Sequence, residues 1–240
     1  MNKRQKKLFS EAQKMLNEGT VIKHLPPKYV CAYYNNKHPQ APITYSGRVV
    51  PGNNKSKRSV PTDVRDFITP NNFLIENLIK DMKINNLNND QKAEHIQQWV
   101  MKHIKYDHDQ SVHGHNEVWQ FPFETLHMGT GDCEDGAILM ASMMLAAGIP
   151  AFRVRVAGGL VKVDSKTAPT GGHGWCCYLR ESDNKWVALD WCYLPQFELP
   201  MSKRKTLKED TNYIETWFSW NARFSWGRNA FELKNRVRDN

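Results

Sequence analysis

The 240-residue chain lacks a membrane span. Its longest apolar stretch, Ala137 to Phe152, is broken by Ser142 and by Gly148-Ile149-Pro150, short of the ~20 apolar residues that cross a bilayer. The basic start MNKRQKKLF is not followed by an apolar run, so it does not read as a secretory signal. The five cysteines are odd in number and irregularly spaced, which is not a disulfide framework. A reducing, cytoplasmic setting is the expectation, with virion association as the alternative. Fourteen Gly and 12 Pro recur at no fixed period, which excludes collagen-like and repeat architectures. Acidic side chains are outnumbered, 25 to 33. The shortage is local: residues 1–60 hold 12 Lys/Arg and 2 Asp/Glu, a net of +10. Residues 61–200 hold 12 and 18, a net of −6, and residues 201–240 hold 9 and 5, a net of +4.

Aromatic residues are plentiful, with eight Trp, ten Phe and eight Tyr, enough to argue for a packed core. Leu8, Ala12, Met15 and Leu16 lie on one stripe and predict an amphipathic helix over 2–18. Pro26-Pro27 blocks its continuation, and the aperiodic segment 35–62 reads as an arm or linker. Asn71 or Asn72 can cap a helix carrying Phe73, Leu74, Leu78 and Met82. A second helix runs from about Asp90, with Ala93, Ile96, Val100 and Ile104 at helical spacing. Residues 106–117 are polar and hold His108, His113 and His115. The strongest helix spans about Cys133 to Ala147, stopped by Gly148 and Pro150. Strands are expected at Ala151–Val156, His173–Arg180 and Lys185–Asp190, the last two joined by a turn at Glu181-Ser182-Asp183-Asn184. Helices first and strands afterwards predict an α+β fold.

Cys133 sits where a glycine-rich turn meets a helix start. Free amides and the positive dipole end favour a thiolate there; an inert buried cysteine is the competing reading. A hairpin turning near Ser182 pairs residues whose numbers sum to roughly 363–365, which brings Asp190 beside His173. An aspartate closing a buried strand next to a histidine is what an imidazole needs to fix its tautomer.

The stretches Gly131-Asp132-Cys133-Glu134-Asp135-Gly136-Ala137, Ala146-Ala147-Gly148-Ile149-Pro150-Ala151, His173-Gly174-Trp175 and Trp186-Val187-Ala188-Leu189-Asp190 resemble the transglutaminase-like core. The run from Trp119 to Gly131 is similar to bacterial transglutaminase-like cysteine proteases, one branch of which is periplasmic, calcium-dependent and cuts surface adhesins. The resemblance covers about residues 75–195. It implies a papain-like fold, helices packed on an antiparallel sheet, with Cys133 as nucleophile, His173 as general base and Asp190 as its orienter. One departure is Gly174, where the family usually has Ala. The implied activity is a cysteine hydrolase or acyltransferase acting on protein or peptide amides through a thioester. The Cys133 amide would serve as one oxyanion donor, with Trp119 or Gln120 as a second.

Asp132, Glu134 and Asp135 beside the thiol should raise its pKa. Capping of the helix start is the preferred account of them, and calcium ligation the second; no cofactor is required on the first. Cys176-Cys177 with Cys192 does not make a zinc site, because adjacent strand residues face opposite ways. The organisation expected is a basic arm (1–60), a catalytic domain (61–200) and an aromatic, basic extension (201–240). The arm suits an acidic or polyanionic partner, and solvation or a protein partner is preferred over nucleic acid. Trp217, Phe218, Trp220, Phe224 and Trp226 must be buried somewhere, in this chain or in a larger assembly. The rival to an enzyme is a structural or assembly protein, for example a virion component, using the fold as a scaffold.

Overall fold

The computed structural model describes residues 3–20, 25–26, 28–29, 32–33, 43–47, 49–51, 57–115, 117–163, 169–193 and 195–227. Cys31, Tyr34, most of the expected linker before Ile43 and the end of the tail lie outside them. The chain opens with α1 (Lys3–Asn17). Two small antiparallel ribbons follow: β1 (Thr44–Tyr45) pairs with β4 (Thr62–Asp63), and β2 (Val49–Pro51) with β3 (Lys57–Ser59). Next come α2 (Phe73–Met82), α3 (Asn89–His103), β5 (Lys105–Tyr106), α4 (Asp109–His113), α5 (Pro122–Met128) and β6 (Thr130–Gly131), with β5 parallel to β6. Then α6 (Cys133–Ala146) leads into β7 (Val154–Lys162), β8 (Thr170–Leu179), β9 (Trp186–Leu189), β10 (Tyr213–Trp220) and β11 (Ser225–Gly227).

Local chemistry sets the helix ends. Asn72 caps α2 by accepting from the Leu74 amide at 3.0 Å. Asn88 and Gln91 cap α3 reciprocally, at 2.9 and 3.2 Å, two orphan amides satisfied by one motif. Gly148 ends α6 at φ 83°, a conformation that glycine adopts without strain.

α6 is buried from Glu134 to Met144. A helix apolar on all sides must be covered on all sides. β7 and β8 cover one side, and α2, α3 and α5 the others. The five strands form one antiparallel sheet in the order β11-β10-β7-β8-β9. Its inner face, with Val154, Val156, Cys176, Tyr178, Val187 and Leu189, joins the α6 core. Ala157, Val161, Trp175, Cys177, Ala188 and Tyr213 form a separate outer cluster. Cys176 and Cys177 thus face opposite sides, as strand geometry requires.

Four features differ from the sequence reading. Ala151–Arg153 is a tight turn, closed by the Arg153 amide on Pro150 O at 2.8 Å, so β7 begins at Val154. The polar stretch after Tyr106 holds α4. Part of the expected C-terminal extension belongs to the sheet: β10 pairs along β7 and β11 along β10. These strands cover an edge of β7 whose amides and carbonyls would otherwise need water, and they bury Trp220 and Trp226 in this chain. The arm also packs on the core. Ala12 and Leu25 are buried with Phe152 and Leu179. Tyr45 stacks on Trp119 at 4.7 Å; its hydroxyl donates to Glu117 O at 3.0 Å and accepts from the Trp119 amide at 3.1 Å. No helix among the described residues is long and apolar enough to cross a membrane.

Candidate active site

The start of α6 is closed by Asp135, whose Oδ2 accepts from the Asp132 amide at 3.2 Å. That makes Cys133 the first helical residue. β8 crosses directly over this point. A Cβ at Gly174 would lie 2.8 Å from Glu134 Cβ and 3.1 Å from Glu134 N. Glycine therefore lets the strand backbone touch the helix start, which is the physical content of the departure from Ala. The Gly174 amide donates to Cys133 Sγ at 3.3 Å, and the thiol donates to Glu134 Oε2 at 3.2 Å.

His173 precedes that contact on the strand. In the β8–β9 hairpin Cys176 pairs with Leu189 and Leu179 with Trp186, which falls within the register expected from the sequence. Asp190 follows the last pair. Its Oδ2 accepts from His173 Nε2 at 2.7 Å and from the Tyr213 hydroxyl at 2.8 Å. Its Oδ1 accepts from the Cys192 and Tyr193 amides, both at 3.2 Å. The side chains of His173 and Asp190 are 8% and 1% exposed. Burial alone would push the Asp190 carboxyl up. The hydrogen bond and charge of His173, with the Tyr193 amide and Tyr213 hydroxyl, outweigh it and hold the group below its usual value. Trp191 ties this segment to α6: its Nε1 donates to Cys133 O at 3.1 Å, and its ring fills the space a Cβ at Gly136 would need.

The acids beside the thiol divide their work. Asp135 takes the capping role, and also accepts from the Gln120 amide at 2.7 Å and from Gln120 Nε2 at 2.8 Å. Trp119 Nε1 donates to Glu117 Oε1 at 2.7 Å. The amides and side chains of Trp119 and Gln120 are thus committed elsewhere, which corrects the expectation that one of them is a second oxyanion donor. Asp132 and Glu134 instead meet Asp109 and Glu117, two acids that the sequence reading passed over in a stretch noted for its histidines. Ligand atoms of Asp109, Glu117 and Glu134 lie within 4.8 Å of one another, as do those of Asp109, Asp132 and Asp135. Buried Asp132 Oδ1 and Glu134 Oε1 have no hydrogen-bond partner. Burial, then the charges of Asp109 and Glu117, pushes Asp132 up to about 6; burial and the surrounding carboxylates push Glu134 well above its ordinary value. Convergent carboxylates with unfilled oxygens suit a hard divalent cation such as calcium. The Cys133 thiol is also pushed up, by burial and then by Glu134 and Asp132, against the lowering effect of the Gly174 amide.

These residues lie on a domain with known relatives. Residues 76–191 match the transglutaminase-like superfamily, and this part of the chain is a transglutaminase-like superfamily domain. Among solved structures, LapG of Legionella pneumophila, a bacterial transglutaminase-like cysteine protease, is similar. Its EGTA-treated form is 21% identical over 67% of this chain and 77% of that one, with a TM-score of 0.48. Its calcium-bound form is 21% identical over 65% and 76%, with a TM-score of 0.49. No curated protein sequence matches the chain.

Proposed function

We propose that the protein is a cysteine hydrolase acting on protein or peptide amide bonds. The observation that carries this reading is one junction, where the Gly174 amide donates to Cys133 Sγ while the adjacent residue, His173, is held by Asp190. An ionised Asp190 only accepts hydrogen bonds, so Nε2 of His173 carries the proton and Nδ1 keeps its lone pair. Nδ1 then takes the Cys133 proton. The thiolate attacks the carbonyl carbon, an S–C bond forms, and the C–N bond breaks as the imidazolium returns its proton to the leaving amine. Water, deprotonated by the same nitrogen, cleaves the thioester. The Cys133 amide at the helix start is the oxyanion donor of this scheme.

Asp109, Glu117, Asp132 and Glu134 would hold a calcium ion. Bound there, it supplies positive charge that offsets the acids raising the thiol pKa. The chain's own part is to keep these carboxylates converged, with Asp135 beside Asp109 and Asp132 but committed to the Asp132 and Gln120 amides. The test is a screen of quenched-fluorescent peptides with and without calcium, with intact-mass detection of an acyl adduct. Turnover abolished in Cys133→Ser, with an adduct in the parent alone, supports the reading. A parent that neither turns over any peptide nor forms an adduct points to the scaffold alternative, which the packing of α1 and Tyr45 on the chain's own core does not favour.

A further inference from the structure

The carboxylate of Asp190 has about four lone-pair sites, and four N–H and O–H donors occupy them, two amides, the His173 imidazole and the Tyr213 hydroxyl, with the Cys192 thiol a weaker contact on Oδ1 at 3.8 Å. The fourth donor comes from far along the chain, at the first residue of β10, beyond the matched family segment. The Tyr213 ring is buried and packs 5.0 Å from Trp175 and edge-on to Tyr193 at 5.8 Å. Tyr193 in turn lies 5.2 Å from the His173 ring. Packing alone would be served by phenylalanine, since a buried hydroxyl is unfavourable unless it is bonded. The hydroxyl and the imidazole share one oxygen, so the two bonds compete for the same electron density.

We propose that Tyr213 is a positioning residue of the acyl-transfer site, its hydroxyl fixing Asp190 Oδ2 in line with His173 Nε2. Without it, one side of Oδ2 is open. The carboxylate then turns on its two amide anchors and pulls harder on the remaining proton, and the ring that must reach the thiol is less well aimed. This deepens the proposed hydrolase reading, and its rate effects rest on that reading; the hydrogen bond itself does not.

The experiment uses the full chain with Tyr213→Phe, which removes one oxygen and keeps the ring. The His173 Nε2 proton is followed in the proton NMR spectrum and identified by its loss in His173→Gln. In Tyr213→Phe it should move downfield, because its acceptor is no longer shared. In Tyr193→Phe it should stay, since that hydroxyl bonds Lys162 O. On a peptide substrate Tyr213→Phe should lower kcat about tenfold, within the range expected for one bond to a charged group, and leave KM within about twofold. In an Asp190→Asn background the same change should cost less than about twofold, because coupled residues are not additive. A resonance that does not move, or an equal loss in both backgrounds, overturns the proposal. A parent without turnover removes the hydrolase reading, and the resonance still decides whether Tyr213 shapes the His173–Asp190 bond.

Discussion

Replacing Asp190 by Asn keeps the side-chain volume and removes the charge. The structure makes this change more costly than its near-isosteric size indicates. Four N–H and O–H donors converge on the carboxylate, His173 Nε2 at 2.7 Å, the Tyr213 hydroxyl at 2.8 Å and two amides at 3.2 Å, and the Cys192 thiol lies 3.8 Å from Oδ1. An Asn side chain must point its NH₂ at one pair of them. If it faces the amides of Cys192 and Tyr193, two bonds to a charged acceptor become donor–donor contacts. If it faces His173, the ring is driven to the other tautomer and Nδ1 gains the proton it must be free to accept. Bonds to charged groups contribute ~1.5–3 kcal/mol each, so the fold should lose about 3 kcal/mol. For a chain of this size that lowers Tm by roughly 6–12 °C. The folded pKa of Asp190 lies below its unfolded value of ~3.9. Its contribution is therefore present above about pH 4 and lost as pH falls through the folded value. Asp190→Asn should flatten that acid limb. Turnover should fall far more than stability, by ~10⁴-fold if the tautomer argument holds. The assay is kcat on a peptide substrate at a temperature where both proteins are folded, with melts from pH 3 to 7 in parallel. A variant that turns over like the parent would refute the reasoning.

Gly174→Ala should push β8 off the start of α6 at a cost of about 1–3 kcal/mol, and slow Cys133 alkylation more than it lowers Tm; an unchanged alkylation rate would contradict the contact with Glu134. Calcium should raise Tm at pH 7.5, and Asp109→Asn or Glu134→Gln should remove most of that rise in a calorimeter. In chelator, Tm should increase as pH falls from 7.5 to about 5, because Asp132 is pushed up to about 6 in the folded chain, above its unfolded value, and protonation then favours the folded form. Tyr45→Ala should cost ~3 kcal/mol of stability from lost stacking on Trp119 and a lost bridge to the Trp119 amide, read by denaturant unfolding.

Much of the site's placement was legible because its signals are local. A glycine turn before an apolar helix fixes where Cys133 sits, and the hairpin turn between β8 and β9 fixes the register that brings Asp190 to His173. The helix caps at Asn72 and Asn88 are likewise written in adjacent residues. What could not be read came from distant chain. Asp109 and Glu117 sit in a polar stretch with no period, and only the fold turns them towards Asp132 and Glu134. Tyr213 lies in a segment whose aromatic density reads as a tail. β10 returns to an edge of β7 that no sequence periodicity marks as open. Tyr45 looked like part of a basic linker, because one stacked ring carries no pattern.

Alkylation of the cysteines one by one gives the most direct test of whether Cys133 and His173 work together. The full chain is treated with iodoacetamide at pH 7 in calcium, and each cysteine is followed by peptide mass spectrometry in the parent and in His173→Ala. Burial pushes Cys177 up to about 12 and Cys176 well above its ordinary value, and burial and then Asp190 push Cys192 up. Cys133 should label fastest, and His173→Ala should slow it by about tenfold or more while leaving the other four cysteines unchanged. Labelling of Cys133 no faster than that of Cys192, or at the same rate without the imidazole, would contradict it.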